Sequence, residues 1–155
     1  MRPRVLQAGP DRIRLAVQVP GLSTEEAFAY WVEPERLRRW WPPEARLDLR
    51  VDGTYEFAWP RMQQKLTGRW IRIEPGRALE FTWTWAHEPE VTKQVKVDFR
   101  PADTGTEVEV GHGTYGLGQR DVELRQEHLD GWTYFLGRLS SVAGDAPPPV
   151  GESPV

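Results

Sequence analysis

The chain has 155 residues and a mass of 17.9 kDa, which makes one domain able to bury about two thirds of its unfolded surface. At 39% hydrophobic and 28% charged residues, with no apolar run near the ~20 residues of a bilayer span, a transmembrane protein is excluded. The net charge of -3 and pI near 5.7 argue against nucleic-acid binding, and the absence of cysteine excludes disulfides, thiolate nucleophiles and Cys-ligated zinc.

Met1-Arg2-Pro3-Arg4 has charge but no apolar stretch behind it, so no signal peptide and a cytoplasmic location are expected. From Arg12 to Val19, Ile13, Leu15, Val17 and Val19 alternate with Arg12, Arg14, Ala16 and Gln18, predicting a first half-buried strand. Pro20-Gly21 ends it. Ser23 or Thr24, followed by Glu25 and Glu26, reads as a helix N-cap with acids in the first turn, opening a helix through Ala27, Phe28, Tyr30 and Trp31. Pro34 starts a second short helix carrying Leu37, Trp40 and Trp41, which Pro42-Pro43 stops. The arginines from Arg36 to Arg50 are interleaved with Glu33, Glu35, Glu44 and Asp48, the pattern of a solvated surface.

Turn signals then recur about every ten residues, predicting an antiparallel meander. Its strands are placed at Leu47 to Arg50, Tyr55 to Trp59, Lys65 to Ile73, Ala78 to Trp85, Val91 to Arg100 and Thr106 to His112. Asp52-Gly53, Glu74-Pro75-Gly76 and Asp103 to Gly105 supply turns. On one face lie Leu79, Phe81, Trp83 and Trp85, then Val95, Val97 and Phe99, then Val108, Val110 and His112. Gln119 to Ala143 is predicted to be one long helix, with Leu124, His128, Trp132, Phe135, Leu136 and Leu139 on a single stripe. Gly131, inside it, predicts close approach of a neighbouring backbone or a ligand. Gly144 to Val155 holds four prolines and no aromatic residue, so the expected organisation is one domain over 1–143 and a disordered tail over 144–155.

An antiparallel sheet and a single amphipathic helix must cover each other's apolar faces, giving an α+β layer. A curved sheet wrapped around the helix is a helix grip, and a cavity forms between the two.

Gly111-His112-Gly113-Thr114-Tyr115-Gly116 fits G-x-G-x-x-G, but no parallel strand returns after the helix, so a loop turn is the better reading. No serine stands in a nucleophile elbow, and His87, His112 and His128 lack metal-ligand spacing; neither metal nor cofactor is expected. His112 and His128 both fall on inward faces, where an imidazole could act as general acid or base, with Tyr115 as a hydrogen-bond donor. The competing reading, that each hydrogen-bonds a backbone carbonyl or a Trp indole N–H and serves packing, carries more weight.

The largest constellation is aromatic: Trp40, Trp41, Phe57, Trp59, Trp70 and Phe81, with Trp83, Trp85, Trp132 and Phe135. Eight indoles pack imperfectly and each brings an N–H, so these rings, with His112 and His128, are the candidate lining of a ligand cavity; a solid core fits the composition equally.

Ala29-Tyr30-Trp31-Val32-Glu33-Pro34-Glu35 with Leu37, Trp40 and Trp41, then Asp48, Asp52-Gly53-Thr54-Tyr55, Gly68 to Ile73 and Leu79 to Trp83, resembles the START-like (SRPBCC) superfamily. More narrowly, it resembles the family homologous to the C-terminal domain of the activator of the Hsp90 ATPase. Gly105 to His112, His128, Gly131-Trp132 and Leu139 extend the likeness from Ile13 to Leu139, although a glycine often stands where this chain has Asp52. The resemblance implies a helix-grip fold. For function it implies a hydrophobic small-molecule ligand or, alternatively, a polyketide-cyclase type of cavity enzyme or a chaperone-associated or stress-response interaction protein. The eukaryotic activator carries a separate N-terminal domain that grips the chaperone, and nothing precedes Met1 here, so chaperone contact is a doubtful expectation. A homodimer stays open.

Overall fold

The computed structural model describes residues 2–143, so the expected tail over 144–155 lies outside the described residues. Eleven elements follow in order: β1 (Arg4–Leu6), β2 (Arg12–Pro20), α1 (Thr24–Val32), α2 (Pro34–Leu37), β3 (Glu44–Leu47), β4 (Thr54–Trp59), β5 (Gln64–Glu74), β6 (Ala78–Trp85), β7 (Lys93–Ala102), β8 (Gly105–Gly113) and α3 (Gln119–Ala143). A single 3-10 turn, Pro60–Met62, links β4 to β5. The strands form one antiparallel sheet in the order β1-β2-β8-β7-β6-β5-β4-β3. This is the α+β helix-grip architecture: the meander curls, and α3 lies in its concave face.

Three placements differ from the sequence expectation. β1 is an extra edge strand that pairs Arg4 with Ala16; at three residues it is too short to show an alternation. β3 ends at Leu47, because Asp48 turns the chain by accepting at its carbonyl from the Arg50 N–H, and Asp52 enters the left-handed region at φ +68°. Aspartate tolerates that conformation, which accounts for its standing where glycine is frequent. The second short helix stops at Leu37, so Trp40 and Trp41 sit in the following turn, outside the helix.

α1 opens with a capping box: Ser23 Oγ accepts from the Glu26 N–H at 3.1 Å and the Glu26 carboxylate accepts from the Ser23 N–H at 3.0 Å. In β5 the register slips between Trp70 and Arg72, a bulge that bends the strand where the sheet curls. Two residues before that bulge Gly68 is required, because a Cβ there would stand 2.1 Å from the Thr82 carbonyl oxygen and 2.5 Å from the Tyr55 ring, which crosses it to donate to that carbonyl.

The helix is tied down along its length. Arg125 donates to the Arg12 carbonyl at 2.9 and 3.1 Å, Ser140 Oγ to the Gln18 carbonyl at 2.6 Å, and Arg138 to the Arg39 and Trp40 carbonyls at 3.2 and 3.3 Å. Its stripe of Leu124, His128, Trp132, Leu136 and Leu139 is buried against Ile13, Leu15, Val110 and the aromatic inner face. Among the described residues no helix is long and apolar enough to cross a membrane.

Candidate functional site: an indole-walled cavity

Alternation on β6 puts Trp83 and Trp85 on the same inner face, and Trp59 reaches the same level from β4. Above them, His128, Gly131, Trp132 and Phe135 fall at the i, i+3, i+4, i+7 positions of α3, hence on one side of the helix. Gly131 is the break in that surface. A Cβ built on it would meet nothing within 4 Å, so no neighbouring backbone approaches it as the sequence suggested; the missing side chain leaves space. The space is a cavity of about 260 Å³ walled by Trp41, Trp59, Trp83, Trp85 and Trp132, with Leu124, His128 and Phe135 completing the apolar part.

The two predicted inward histidines meet. Their rings stack at 4.5 Å and 8°, and Trp83 packs against both at 4.6 and 5.2 Å. The Trp85 N–H donates to His128 Nε2 at 3.1 Å and the Trp132 N–H donates to His112 Nδ1 at 3.0 Å. An indole nitrogen can only donate, so both imidazoles must offer a lone pair there. The tautomers follow: His128 carries its proton on Nδ1 and donates it to Tyr115 Oη at 2.7 Å, while His112 carries its proton on Nε2, buried and without an acceptor. Burial, then repulsion from His128 and Lys93, holds His112 well below the usual imidazole range. Burial, then Lys93, lowers His128 to about 4. Both rings are neutral at pH 7.

Lys93 stands behind this pair. It is 8% exposed, donates to the Thr114 carbonyl at 2.6 Å and to Asp121 at 3.1 and 3.2 Å, and lies 4.9 Å from the Tyr115 ring centre. Its position two residues before Val95 gives it the inward phase of β7, a signal the sequence carried and the apolar pattern passed over. The Gly116 N–H, then Lys93, holds Asp121 below the usual carboxylate range.

The rim is polar, made by Gln64, His87, Arg120 and Glu127, with the exposed Met62 beside them. Arg120 crosses it, pairing in bidentate fashion with Glu88 of the β6–β7 loop, with Glu127 at 2.9 Å and with Glu123 at 3.8 Å. These rim residues come from the 3-10 turn, the first residue of β5, the β6–β7 loop and the polar flank of α3, so no apolar periodicity marked them. Of the predicted lining, Trp41, Trp59, Trp83, Trp85, His128, Trp132 and Phe135 face the cavity. The others pack elsewhere in the core: Trp40 donates to the Tyr30 carbonyl, Phe57, Trp70 and Phe81 pack around Tyr55, and His112 and Tyr115 sit behind His128. Among the described residues no group of three or more His, Asp or Glu is placed to hold a metal ion.

The sequence pattern described as activator of Hsp90 ATPase homolog 1-like protein matches residues 22–144, from α1 to the end of α3. The chain belongs to this family. Its fold recurs in solved structures: a protein from Arthrobacter aurescens (TM-score 0.75, 16% identity, 96% of this chain and 95% of that one) and CalU16 from Micromonospora echinospora (0.64, 23%, 94% and 84%). DynU16, from the dynemicin biosynthetic locus, matches with a TM-score of 0.72 and 20% identity over 84% of this chain and 46% of its own. At these identities the likeness is one of fold, the START-like helix grip. The search of curated proteins returned no match.

Proposed function

We propose that this family member binds a small apolar or aromatic molecule between the sheet and α3. The observation that carries the reading is the cavity of about 260 Å³ walled by five indoles and opened by Gly131. A solid core would have used a side chain at that position, since glycine in a helix interior costs about 1 kcal/mol against alanine. The volume lies just under the roughly 300 Å³ at which pockets for drug-sized ligands begin, which suits a compact ligand. DynU16's place in a biosynthetic locus is consistent with small-molecule handling on this fold, though fold alone does not assign function.

Catalysis by the histidines draws less support. His128 is the imidazole in the cavity wall, and its two nitrogens are already engaged with Trp85 and Tyr115. Chaperone contact and a homodimer gain no specific feature from the cavity. Titration with neutral aromatics and fatty acids, followed by tryptophan emission, tests the reading: saturable quenching at one ligand per chain is expected, and the absence of any saturable response overturns it.

A further inference from the structure

The cavity is apolar inside and charged at its mouth. Arg120 is the only lysine or arginine among the described residues that line it. Each of its three guanidinium nitrogens faces a carboxylate: Nε and Nη2 fork onto the two oxygens of Glu88, Nη1 donates to Glu127 at 2.9 Å, and Glu123 stands 3.8 Å from the same Nη1. Glu88 is the partner that matters most. Its side chain is 15% exposed, against 58% for Glu127 and 52% for Glu123, so its pair with Arg120 is the one best shielded from water and salt. It also comes from another element. Glu123 and Glu127 share α3 with Arg120, whereas Glu88 sits in the β6–β7 loop, in a turn closed by its own N–H to the Trp85 carbonyl and by the Val91 N–H to the Glu88 carbonyl, both at 3.0 Å. His87 Nε2 lies 3.6 Å from the same carboxylate.

No other positive charge serves the cavity. Lys93 is tied to Asp121 and to the Thr114 carbonyl and does not line it, and His128 is neutral at pH 7. A carboxylate entering here would leave water, meet three carboxylates around one guanidinium, and find that guanidinium already held. An uncharged molecule of the same shape meets none of these obstacles. Resting on the binding function above, we propose that the site selects uncharged ligands over carboxylates of the same shape, and that Glu88 sets this selectivity by holding the Arg120 fork that a ligand carboxylate would otherwise take. Ionised fatty acids fall outside the favoured class; neutral aromatics fall within it.

Fluorene carrying a carboxamide or a carboxylate at carbon 2 supplies two near-isosteres that differ in charge, with fluorene itself as reference. By calorimetry at pH 8, wild type is expected to bind the carboxamide about tenfold tighter than the carboxylate. Glu88→Gln opens the fork, and is expected to raise the affinity for the carboxylate relative to the carboxamide about three- to tenfold. Adding Arg120→Gln to that variant is expected to abolish the gain, because the gain acts through the freed guanidinium and not through the lost negative charge alone. Equal affinity of wild type for carboxamide and carboxylate overturns the proposal. So does an unchanged ratio in Glu88→Gln, or a gain that survives in the double variant. In each of those cases fluorene still binds, and the binding function stands. Failure of all three probes to bind wild type overturns the binding function as well.

Discussion

The pairing of each histidine with an indole fixes how the centre responds to protons. Protonating His128 would place a second proton on Nε2, facing the Trp85 N–H donor, in a site that burial already makes hostile to charge. In the unfolded chain the same imidazole titrates at ~6.5. Above that pH both states are neutral and the group contributes nothing to pH dependence. As pH falls from ~6.5 toward 4 the unfolded state takes up the proton first, so stability drops, by an amount on the order of 3 kcal/mol for His128 once pH is below both values. His112, held lower still, adds to the loss in the same direction. Melting curves between pH 7 and 4.5 are expected to fall less steeply for His128→Gln than for wild type. Parallel slopes would show that the imidazole is not the group responsible.

Between elements, the Lys93–Asp121 pair joins the start of β7 to the first turn of α3, and Lys93 also holds the Thr114 carbonyl of the intervening loop. Asp121→Asn leaves a nearly buried ammonium short of its counter-charge. A loss of roughly 1–3 kcal/mol in a urea titration is expected, with the slope of the transition unchanged. The elements themselves were plain in the sequence wherever one periodicity ran unbroken: the alternation of Leu79 to Trp85 and the stripe from Leu124 to Leu139 both fold as the pattern dictates. Where the pattern was short or broken it misled. β1 has three residues, and Trp40 and Trp41 continue the spacing of α2 although Pro42 and the turn at Arg38 have already ended the helix.

At the scale of the whole molecule, the cavity depends on segments far apart in the chain: Trp41 before β3, Trp59 at the end of β4, Trp83 and Trp85 on β6, and His128 to Phe135 on α3. Residue type and phase identified most of the apolar lining, because inward phase is a local property. They could not separate the rings that face open space from those, such as Trp70 and Phe81, that fill the core one strand position away, since that distinction is made by the curl of the sheet. Nor could they mark Arg120 or Gln64, whose place at the rim exists only once α3 has docked. Gly131 shows both sides of this: its oddity was visible within a helical pattern, and its meaning, an absent side chain over a void, appears only in three dimensions.

That void is the central claim, and Gly131→Leu tests it most directly. The new side chain replaces a helix-weakening glycine and projects into the cavity, so the melting temperature is expected to rise or hold while saturable quenching of tryptophan emission by fluorene is lost. Binding of fluorene to Gly131→Leu with the affinity of the wild type would contradict the account, because the ligand would then occupy some other part of the molecule.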